Sequence, residues 1–149
     1  MELDDGDVER LVELVAKGGY ESVAIGFMHA YVNPAHERKM AKALSEAMPD
    51  ISISLSSVVS PQMRELPRFN SVIVNAYVQP QIAAYLKRLV SEIKDIGINS
   101  QVFMMHSGGG IISVETAIEQ PVRLLESGPA GGAIYAAGYA GTHGIEKAL

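Results

Sequence analysis

The sequence predicts an α/β protein with a mostly parallel sheet flanked by helices. Apolar runs of strand length alternate along the chain with apolar stripes at helical spacing, which is the pattern of β-α units. The run Ser22–Met28 is apolar almost throughout, as in a strand that is covered on both faces of a parallel sheet. We therefore expect Ser22–Met28 to be a central strand.

Composition narrows the class of protein. The chain has 149 residues, of which 48% are hydrophobic and 19% charged, as in ordinary globular domains. Its net charge of -5 and its scattered Lys and Arg argue against a nucleic acid or a membrane surface as partner. It lacks cysteine, which excludes disulfides and thiolate metal sites. No secretory or membrane-spanning run is present, so we expect a cytoplasmic protein.

The first half of the chain supplies two helices and two strands. An apolar stripe over Val8–Val15 follows acidic residues and predicts a helix that Gly18-Gly19 ends. Asn33-Pro34 predicts the start of a second helix, which should end before Pro49. The alternating segment Ile51–Ser57 predicts a strand nearer the edge of the sheet.

The second half begins with a long helix, predicted over residues 69–96 and bent at Pro80, because proline removes an internal hydrogen bond. Gly97 should cap its end. The remaining predicted elements are the strand Val102–Met105, the turn His106–Gly110, a short helix capped by Ser113 and closed by Pro121, the strand Val122–Leu125, and a final helix from Gly128-Pro129.

Two glycine-rich segments are candidate anion-binding sites. Glycines after a strand can direct backbone N–H groups at a phosphate, and so can an open helix N-terminus. Neither the Walker pattern nor G-x-G-x-x-G is present, so the first segment also fits a tight strand-to-helix turn, and the second a closely packed helix. The candidate cofactor-binding residues are His106, Ser107, Gly108, Gly109, Gly110, Ser127, Gly128, Gly131 and Gly132.

Other polar residues do not define a catalytic site. No partner lies at metal-ligand spacing from His106, and Ser127 lacks the G-x-S-x-G elbow of a nucleophile, so no catalytic residue is assigned and no metal site is expected. A metal site from His29, Asn33, His36 and Glu37 is conceivable, but helix capping by Asn33 with exposed His36 and Glu37 is favoured. The group Arg64, Glu65 and Arg68 is interpreted as a solvated surface network.

Six short motifs follow one another along the chain: His29–Arg38, Leu55-Ser56-Ser57, Arg64-Glu65, Asn75–Pro80, Met105–Gly110 and Ser127–Gly132. In this order and spacing they resemble the ATP-dependent hydantoinase/oxoprolinase family, also called hydantoin-utilisation A. Relatives in that family include N-methylhydantoinase and a subunit of acetone carboxylase. One motif departs from the family, which commonly has Gln-Ser-Asn-Gly-Gly where this chain has His106–Gly110.

The resemblance implies an actin-like ATPase fold, with ribonuclease-H-like halves that bind ATP and Mg²⁺ between them. The two Asp-Gly-Gly-Thr-like hairpins that hold the phosphates in that superfamily are absent from this sequence. The chain therefore resembles an internal fragment, a single α/β piece over 1–149. It would span the end of the N-terminal half, about 1–68, and the start of the hydantoinase/oxoprolinase domain, about 69–149.

The function implied by the resemblance is ATP-dependent opening of a cyclic amide of the hydantoin or 5-oxoproline type. The fragment alone should be inactive and should bind no nucleotide stably. Expected partners are the cyclic amide and a second hydantoinase subunit or domain, and uncovered strand edges could allow a homo-oligomer. Two alternatives stay open: a non-catalytic α/β module that binds a small anion or a partner subunit, and a subunit of an ATP-dependent ketone carboxylase.

Overall fold

A computed structural model of the protein describes residues 3–147, so the predicted fragment boundaries at residues 1 and 149 lie outside the described part. The chain divides into two compact units, residues 1–81 and 82–149. Each unit contains a two-stranded sheet with helices, and the predicted α/β fold class is confirmed.

The first unit contains a parallel sheet. In chain order its elements are α1 (Asp5–Gly18), β1 (Ser22–Ile25), α2 (Ala35–Ala47), β2 (Ser52–Leu55), the single helical turn α3 (Ser56–Val59) and the first part of α4 (Glu65–Asp95). β1 and β2 pair in parallel, with Ser22 opposite Ser52 and Ile25 opposite Leu55. Helices α1 and α2 pack on this sheet through a core whose buried members are Val8, Ile25, Met40 and Leu44.

The helix boundaries of this unit follow from local capping. The side chain of Asp4 accepts hydrogen bonds from the N–H groups of Gly6 and Asp7 at the start of α1. At its end, Gly19 has φ 64°, the left-handed conformation that glycine adopts without a Cβ penalty. Asn33 Oδ1 accepts from the N–H of Ala35 at 3.0 Å, and α2 begins at Ala35 with Pro34 as its N-cap residue, one residue later than predicted.

Both strands of the first unit are shorter than predicted, and one prediction of position is wrong. β1 ends at Ile25, and β2 ends at Leu55 because Ser56–Val59 turns into a helix. Within residues 3–147, β1 pairs with β2 alone. It is therefore an edge strand in the described sheet and not a central one, since a two-stranded sheet contains only edges.

The long helix α4 is confirmed and begins earlier than predicted, at Glu65, with Pro80 inside it. A Schellman motif ends it: the Gly97 N–H donates to the carbonyl of Lys94 at 2.9 Å, and the Ile98 N–H donates to the carbonyl of Ile93 at 3.2 Å. Gly97 has φ 88°, as a residue in that position requires.

The second unit contains an antiparallel hairpin. Its elements are the rest of α4, β3 (Phe103–Met105), β4 (Ile111–Ser113), α5 (Val114–Glu119), a 3₁₀ turn (Pro121–Leu124) and α6 (Ser127–His143). Ser113 caps α5 as predicted, its Oγ accepting from the Thr116 N–H at 3.2 Å. The core centres on Leu86, Val114 and Ala117.

Two predictions in this unit are wrong. The glycine turn after β3 leads into a second strand, β4, and not into a helix, because Met105 pairs with Ile111 across the turn. The segment Val122–Leu125 was expected to be a strand, but Pro121–Leu124 forms a 3₁₀ turn. Proline at the first position of that turn supplies the φ that a helical turn needs.

Candidate functional site

The glycine turn, residues His106–Gly110, uses its backbone N–H groups within the protein. Ser107 donates to the carbonyl of Arg123 at 2.8 Å, and Gly109 donates to the carbonyl of His106 at 2.9 Å. The N–H of Gly108 donates to Nδ1 of His106 at 3.0 Å. A phosphate cradle needs several such groups directed at the ligand. In this conformation the turn does not offer them.

The glycines of this turn are explained by close packing. A Cβ on Gly108 would lie 2.7 Å from Cε1 of His106, and one on Gly110 would lie 2.7 Å from Nε2 of the same ring. Gly109 has φ 84°, and a Cβ there would lie 2.7 Å from Cδ1 of Ile134 on α6. The turn therefore wraps the imidazole of His106 and lies against α6.

The start of α6 presents a different environment. Its N-cap residue, Glu126, has φ 60° and makes no side-chain hydrogen bond to the first turn. A Cβ on Gly131 would lie 2.8 Å from Sδ of Met105, which places this face of the helix against β3. A Cβ on Gly128 or Gly132 would meet nothing within 4 Å. The first two turns of α6 thus pack against β3 on one side and are open on the side of Gly128 and Gly132.

The nine predicted binding residues all lie in the second unit, and the structure brings their two segments together. Contacts of Gly109 with Ile134 and of Gly131 with Met105 join the hairpin to α6. An uncapped helix N-terminus favours an anion through its N–H groups and its dipole. Of the nine residues, Ser127 and Gly128 lie in this N-terminal turn, Gly132 lies one turn further along α6, and the N–H groups of Ser107, Gly108 and Gly109 are bonded within the protein.

A second polar group, missed by sequence reasoning, lies in the first unit at the carboxyl ends of β1 and β2. We call it the strand-end cluster: Glu37, Ser56, Glu65 and Arg68. Glu37 is fully buried. Its Oε1 accepts from the N–H of Phe27 at 3.0 Å and from the hydroxyl of Ser56, and its Oε2 accepts from the N–H of Ser57 at 2.9 Å. One carboxylate thus joins the chain beyond both strands.

Arg68 completes the cluster from α4, and its guanidinium is also fully buried. Nε donates to Ser56 Oγ at 3.0 Å, and Nη2 donates to the carbonyl of Phe27 at 2.8 Å. The guanidinium carbon lies 5.4 Å from the centre of the Tyr31 ring and 5.3 Å from that of Phe69, within cation–π range. Arg68 therefore ties α4 to the same two strand ends as Glu37.

Glu65 forms the outer edge of the strand-end cluster and bonds to the neighbouring His29. The N–H of His29 donates to Glu65 Oε1 at 3.2 Å, and Arg68 Nη2 lies 3.5 Å from the same oxygen. The backbone N–H of His29 is the main cause that holds the pKa of Glu65 below its ordinary value, with help from the Arg68 charge. His29 itself has φ 56°, a strained conformation that this hydrogen bond helps to retain.

Two sequence interpretations in this region are wrong. Glu37 was expected to be exposed, and Arg68 was expected in a solvated network, but both are buried. The spacing contained the signal. Glu37 continues the buried stripe of Met40 and Leu44 on α2, and Arg68 lies four residues before the buried Val72 on α4.

Residues 3–147 contain no group of three or more His, Cys, Asp or Glu side chains that could hold a metal ion. Among the helices of that part of the chain, none is long and apolar enough to cross a membrane.

Comparison with known proteins places the chain in a family. The hydantoinase/oxoprolinase family matches residues 68–149, and its N-terminal region matches residues 1–48. The 5-oxoprolinase of Saccharomyces cerevisiae is 33% identical over 139 residues, which cover 93% of this chain and 10% of that enzyme. The caprolactamase alpha subunit of Pseudomonas jessenii is 28% identical over 86% of this chain and 18% of its own length.

Solved structures agree with this placement. Nucleotide-free acetone carboxylase, from work on ATP-dependent acetone carboxylation, matches 95% of this chain and 20% of its own, with a TM-score of 0.82 and 25% identity. The ATP-dependent caprolactamase of P. jessenii matches 87% of this chain and 19% of its own, with a TM-score of 0.80 and 28% identity. These likenesses agree with an actin-like ATPase fold. The chain spans a tenth to a fifth of the length of these relatives, and it belongs to the hydantoinase/oxoprolinase family.

Proposed function

We propose that the chain is part of an ATP-dependent hydrolase that opens a cyclic amide of the hydantoin or 5-oxoproline type. The observation that carries the proposal is the kind of protein to which the chain is similar. Two of them are named 5-oxoprolinase and caprolactamase. Both names refer to a lactam, so the chemistry that the two relatives have in common is cleavage of the C–N bond of a cyclic amide.

The chemistry explains why ATP is needed. An amide carbonyl reacts slowly with water because nitrogen donates electron density to it. In the proposed reaction the amide oxygen accepts a phosphoryl group from ATP, with Mg²⁺ neutralising the phosphate charge. Water then attacks the activated carbon, the ring C–N bond breaks and the nitrogen takes a proton, which leaves an acyl phosphate. A second water hydrolyses the acyl phosphate and releases phosphate. The products are ADP, phosphate and the open-chain acid, which is an amino acid from 5-oxoproline and an N-carbamoyl amino acid from a hydantoin.

The part of this chain that supports phosphate binding is the start of α6. Ser127 and Gly128 would approach the nucleotide at the open face of the first turn, and Gly132 would extend that face into the second turn, where no side chain blocks it. His106–Gly110 would support that helix through the contact of Gly109 with Ile134. The principal phosphate hairpins and the magnesium-binding carboxylate would come from other parts of a longer, cytoplasmic polypeptide.

The proposal also divides the chain. Residues up to about 68 would end the N-terminal half of the enzyme, and residues from about 69 would begin the hydantoinase/oxoprolinase domain. This division accords with the two family matches, which cover 1–48 and 68–149. A second subunit or domain would complete the substrate site, and the 149-residue chain alone would be inactive and would not bind nucleotide stably.

The test compares the longer polypeptide with the isolated chain. The longer protein should release ADP when 5-oxoproline, hydantoin or caprolactam is added, in a ratio of one ADP for each ring opened, whereas the isolated chain should release none. Lactam-dependent turnover by the isolated chain would contradict the fragment assignment. Absence of lactam-dependent ADP release from the longer protein, with all three substrates, would contradict the proposed reaction.

Acetone carboxylase supports a second candidate, an ATP-dependent ketone carboxylase, because its structure matches 95% of this chain. The two candidates differ in their co-substrate. A carboxylase should release ADP only when a ketone and bicarbonate are both present, whereas the lactam reaction should not depend on bicarbonate. The same ADP assay, with and without bicarbonate, therefore separates them.

A further inference from the structure

The first two-thirds of α4 expose an unusual surface. From Leu66 to Leu86 the sequence contains a single charged residue, Arg68, and that side chain is buried. In contrast, five of the nine residues 87–95 are charged. A helix whose outer side meets water normally carries charges along that whole side. The charge distribution therefore indicates that the earlier part of α4 is not a water-facing helix.

The exposed side chains agree with this contrast. Val72, Asn75 and Ala76 mark the inner side of the helix, where they are buried. The opposite side, which we call the α4 outer face, carries Leu66, Ile73, Val74 and Tyr77, with exposed fractions of 72%, 56%, 39% and 78%. These residues recur at helical spacing, so they form one stripe.

Three further apolar side chains are exposed on segments that contact the start of α4. Met28, Val32 and Met63 are exposed by 66%, 71% and 73%. Hydrogen bonds from neighbouring residues bring their segments to α4. The His29 N–H donates to Glu65 Oε1, and Arg68 Nη1 donates to the carbonyl of Gln62 at 3.2 Å. At roughly 100 Å² for each of its four side chains, the α4 outer face alone exposes about 400 Å², which is the size of the largest apolar patch on a typical monomer, and such patches often have a function.

We propose that the α4 outer face is an internal interface, covered by an uncharged apolar surface from another part of the parent polypeptide. The inference rests on the proposal that this chain is a piece of a longer enzyme. Its relatives are five to ten times longer, so most of such a polypeptide lies outside these residues. The occupant must be apolar because the α4 outer face offers no charge for a salt bridge.

A second copy of this chain is a poorer occupant. The stripe from Leu66 to Tyr77 is roughly 16 Å long, so two copies paired along it would bury only part of the ~800 Å² per partner that a stable interface needs. A covalently linked domain can cover the same face with a smaller contact, because its effective concentration is high.

Cysteine labelling tests this directly, since the chain contains no cysteine. Tyr77→Cys and Ile73→Cys would report on the α4 outer face, and Lys87→Cys, exposed on the charged end of the same helix, would be the matched control. Maleimide labelling of these positions would be followed by peptide mass spectrometry in the 149-residue chain and in the longer polypeptide. We expect labelling at residues 73 and 77 to be at least about tenfold slower in the longer protein, and labelling at 87 to be similar in both.

Equal labelling of residue 77 in both proteins would overturn the inference. So would protection that develops in the isolated chain as its concentration rises, because that result identifies a second copy as the occupant. Lactam-dependent ADP release by the longer protein would be measured on the same samples. An active protein with unprotected residues 73 and 77 would contradict this interface alone, whereas protected residues in a protein without that activity would contradict only the proposed reaction.

Discussion

Glu37 and Arg68 meet through one hydroxyl group. Ser56 Oγ donates to Glu37 Oε1 and accepts from Arg68 Nε at 3.0 Å, and both charged side chains are fully buried. Glu37 accepts hydrogen bonds from the N–H groups of Phe27 and Ser57, which follow β1 and β2. Arg68 donates to the carbonyl of Phe27. The opposite charges lie in one hydrogen-bonded network, which lowers the desolvation penalty that either would incur alone. The network fixes the edge of the sheet where α/β proteins commonly place their ligands.

Replacing Glu37 by alanine should destabilise the first unit strongly. The substitution leaves Arg68 buried without its compensating charge and removes the acceptor of the Phe27 and Ser57 N–H groups. Loss of one member of a buried charge pair costs about 3–5 kcal/mol. Glu37→Gln keeps one acceptor oxygen and should cost less, about 1–3 kcal/mol. Urea unfolding, followed by amide NMR signals of residues 3–81, measures both changes.

Glu46 provides the control for that comparison. It lies on the same helix, α2, with its side chain 68% exposed, and it pairs with Lys42 at 3.8 Å. Glu46→Ala should change the free energy of unfolding by less than about 0.5 kcal/mol. A similar small effect of Glu37→Ala would show that the strand-end cluster does not hold the sheet edge.

Acid should weaken the first unit through Glu65. The His29 N–H lowers the pKa of Glu65 from its ordinary value of 4.5, so the ionised carboxylate stabilises the folded state. That contribution is complete above the ordinary value and is lost as the pH falls through the lowered pKa in the folded protein. Glu65→Gln should therefore reduce the free energy of unfolding at neutral pH, and the difference from the unmodified chain should shrink below pH 4.5.

Urea unfolding measured at intervals from neutral to acidic pH tests this dependence. Glu9→Gln, on the exposed side of α1, is the matched control for the loss of one negative charge. A difference between the Glu65 variant and the unmodified chain that stays constant with pH would refute the role assigned to the charge.

Residue patterns predicted much of the fold because the relevant signals are local. The acidic lead-in of α1 and the glycine that ends α4 act within one helical turn, and both predictions were confirmed, while the predicted start of α2 was one residue early. Strand limits depend on distant partners. Three residues of the predicted strand Ser22–Met28 lie outside β1, because their backbone joins the loop that Glu37 and Arg68 hold.

The candidate sites show the same difference between local signals, which the sequence contains, and geometry that depends on distant residues. The sequence identified the glycine segments but not their geometry, because the turn joins two antiparallel strands only once Met105 has paired with Ile111. It missed the buried network for a different reason. Glu and Arg are rarely buried, so composition favoured an exposed interpretation of Glu37 and Arg68. Only their position on the inner stripes of α2 and α4 indicated otherwise.

Gly109 should tolerate no side chain. It has φ 84°, and a Cβ would lie 2.7 Å from Cδ1 of Ile134. Gly109→Ala should therefore lower the stability of the second unit by about 1–3 kcal/mol, from backbone strain together with displacement of Ile134. Gly109→Ala combined with Ile134→Ala should recover the part due to the contact. Hydrogen exchange of α6 amides measures the change, and unaltered exchange in Gly109→Ala would contradict the packing role of this glycine.

Substitution of Gly132 should distinguish a glycine needed for nucleotide binding from one needed only for packing. It lies inside α6, where a Cβ would meet nothing within 4 Å, so Gly132→Ala should stabilise the isolated chain by up to about 1 kcal/mol through helix propensity. In the longer polypeptide the same methyl group would stand where the phosphate is proposed to approach, and the KM for ATP should rise. Gly138→Ala, equally open and farther along α6, should give the same stabilisation without the change in KM. If both variants change the KM for ATP equally, a phosphate site at the start of α6 is contradicted. Both glycines would then be assigned to packing against another domain.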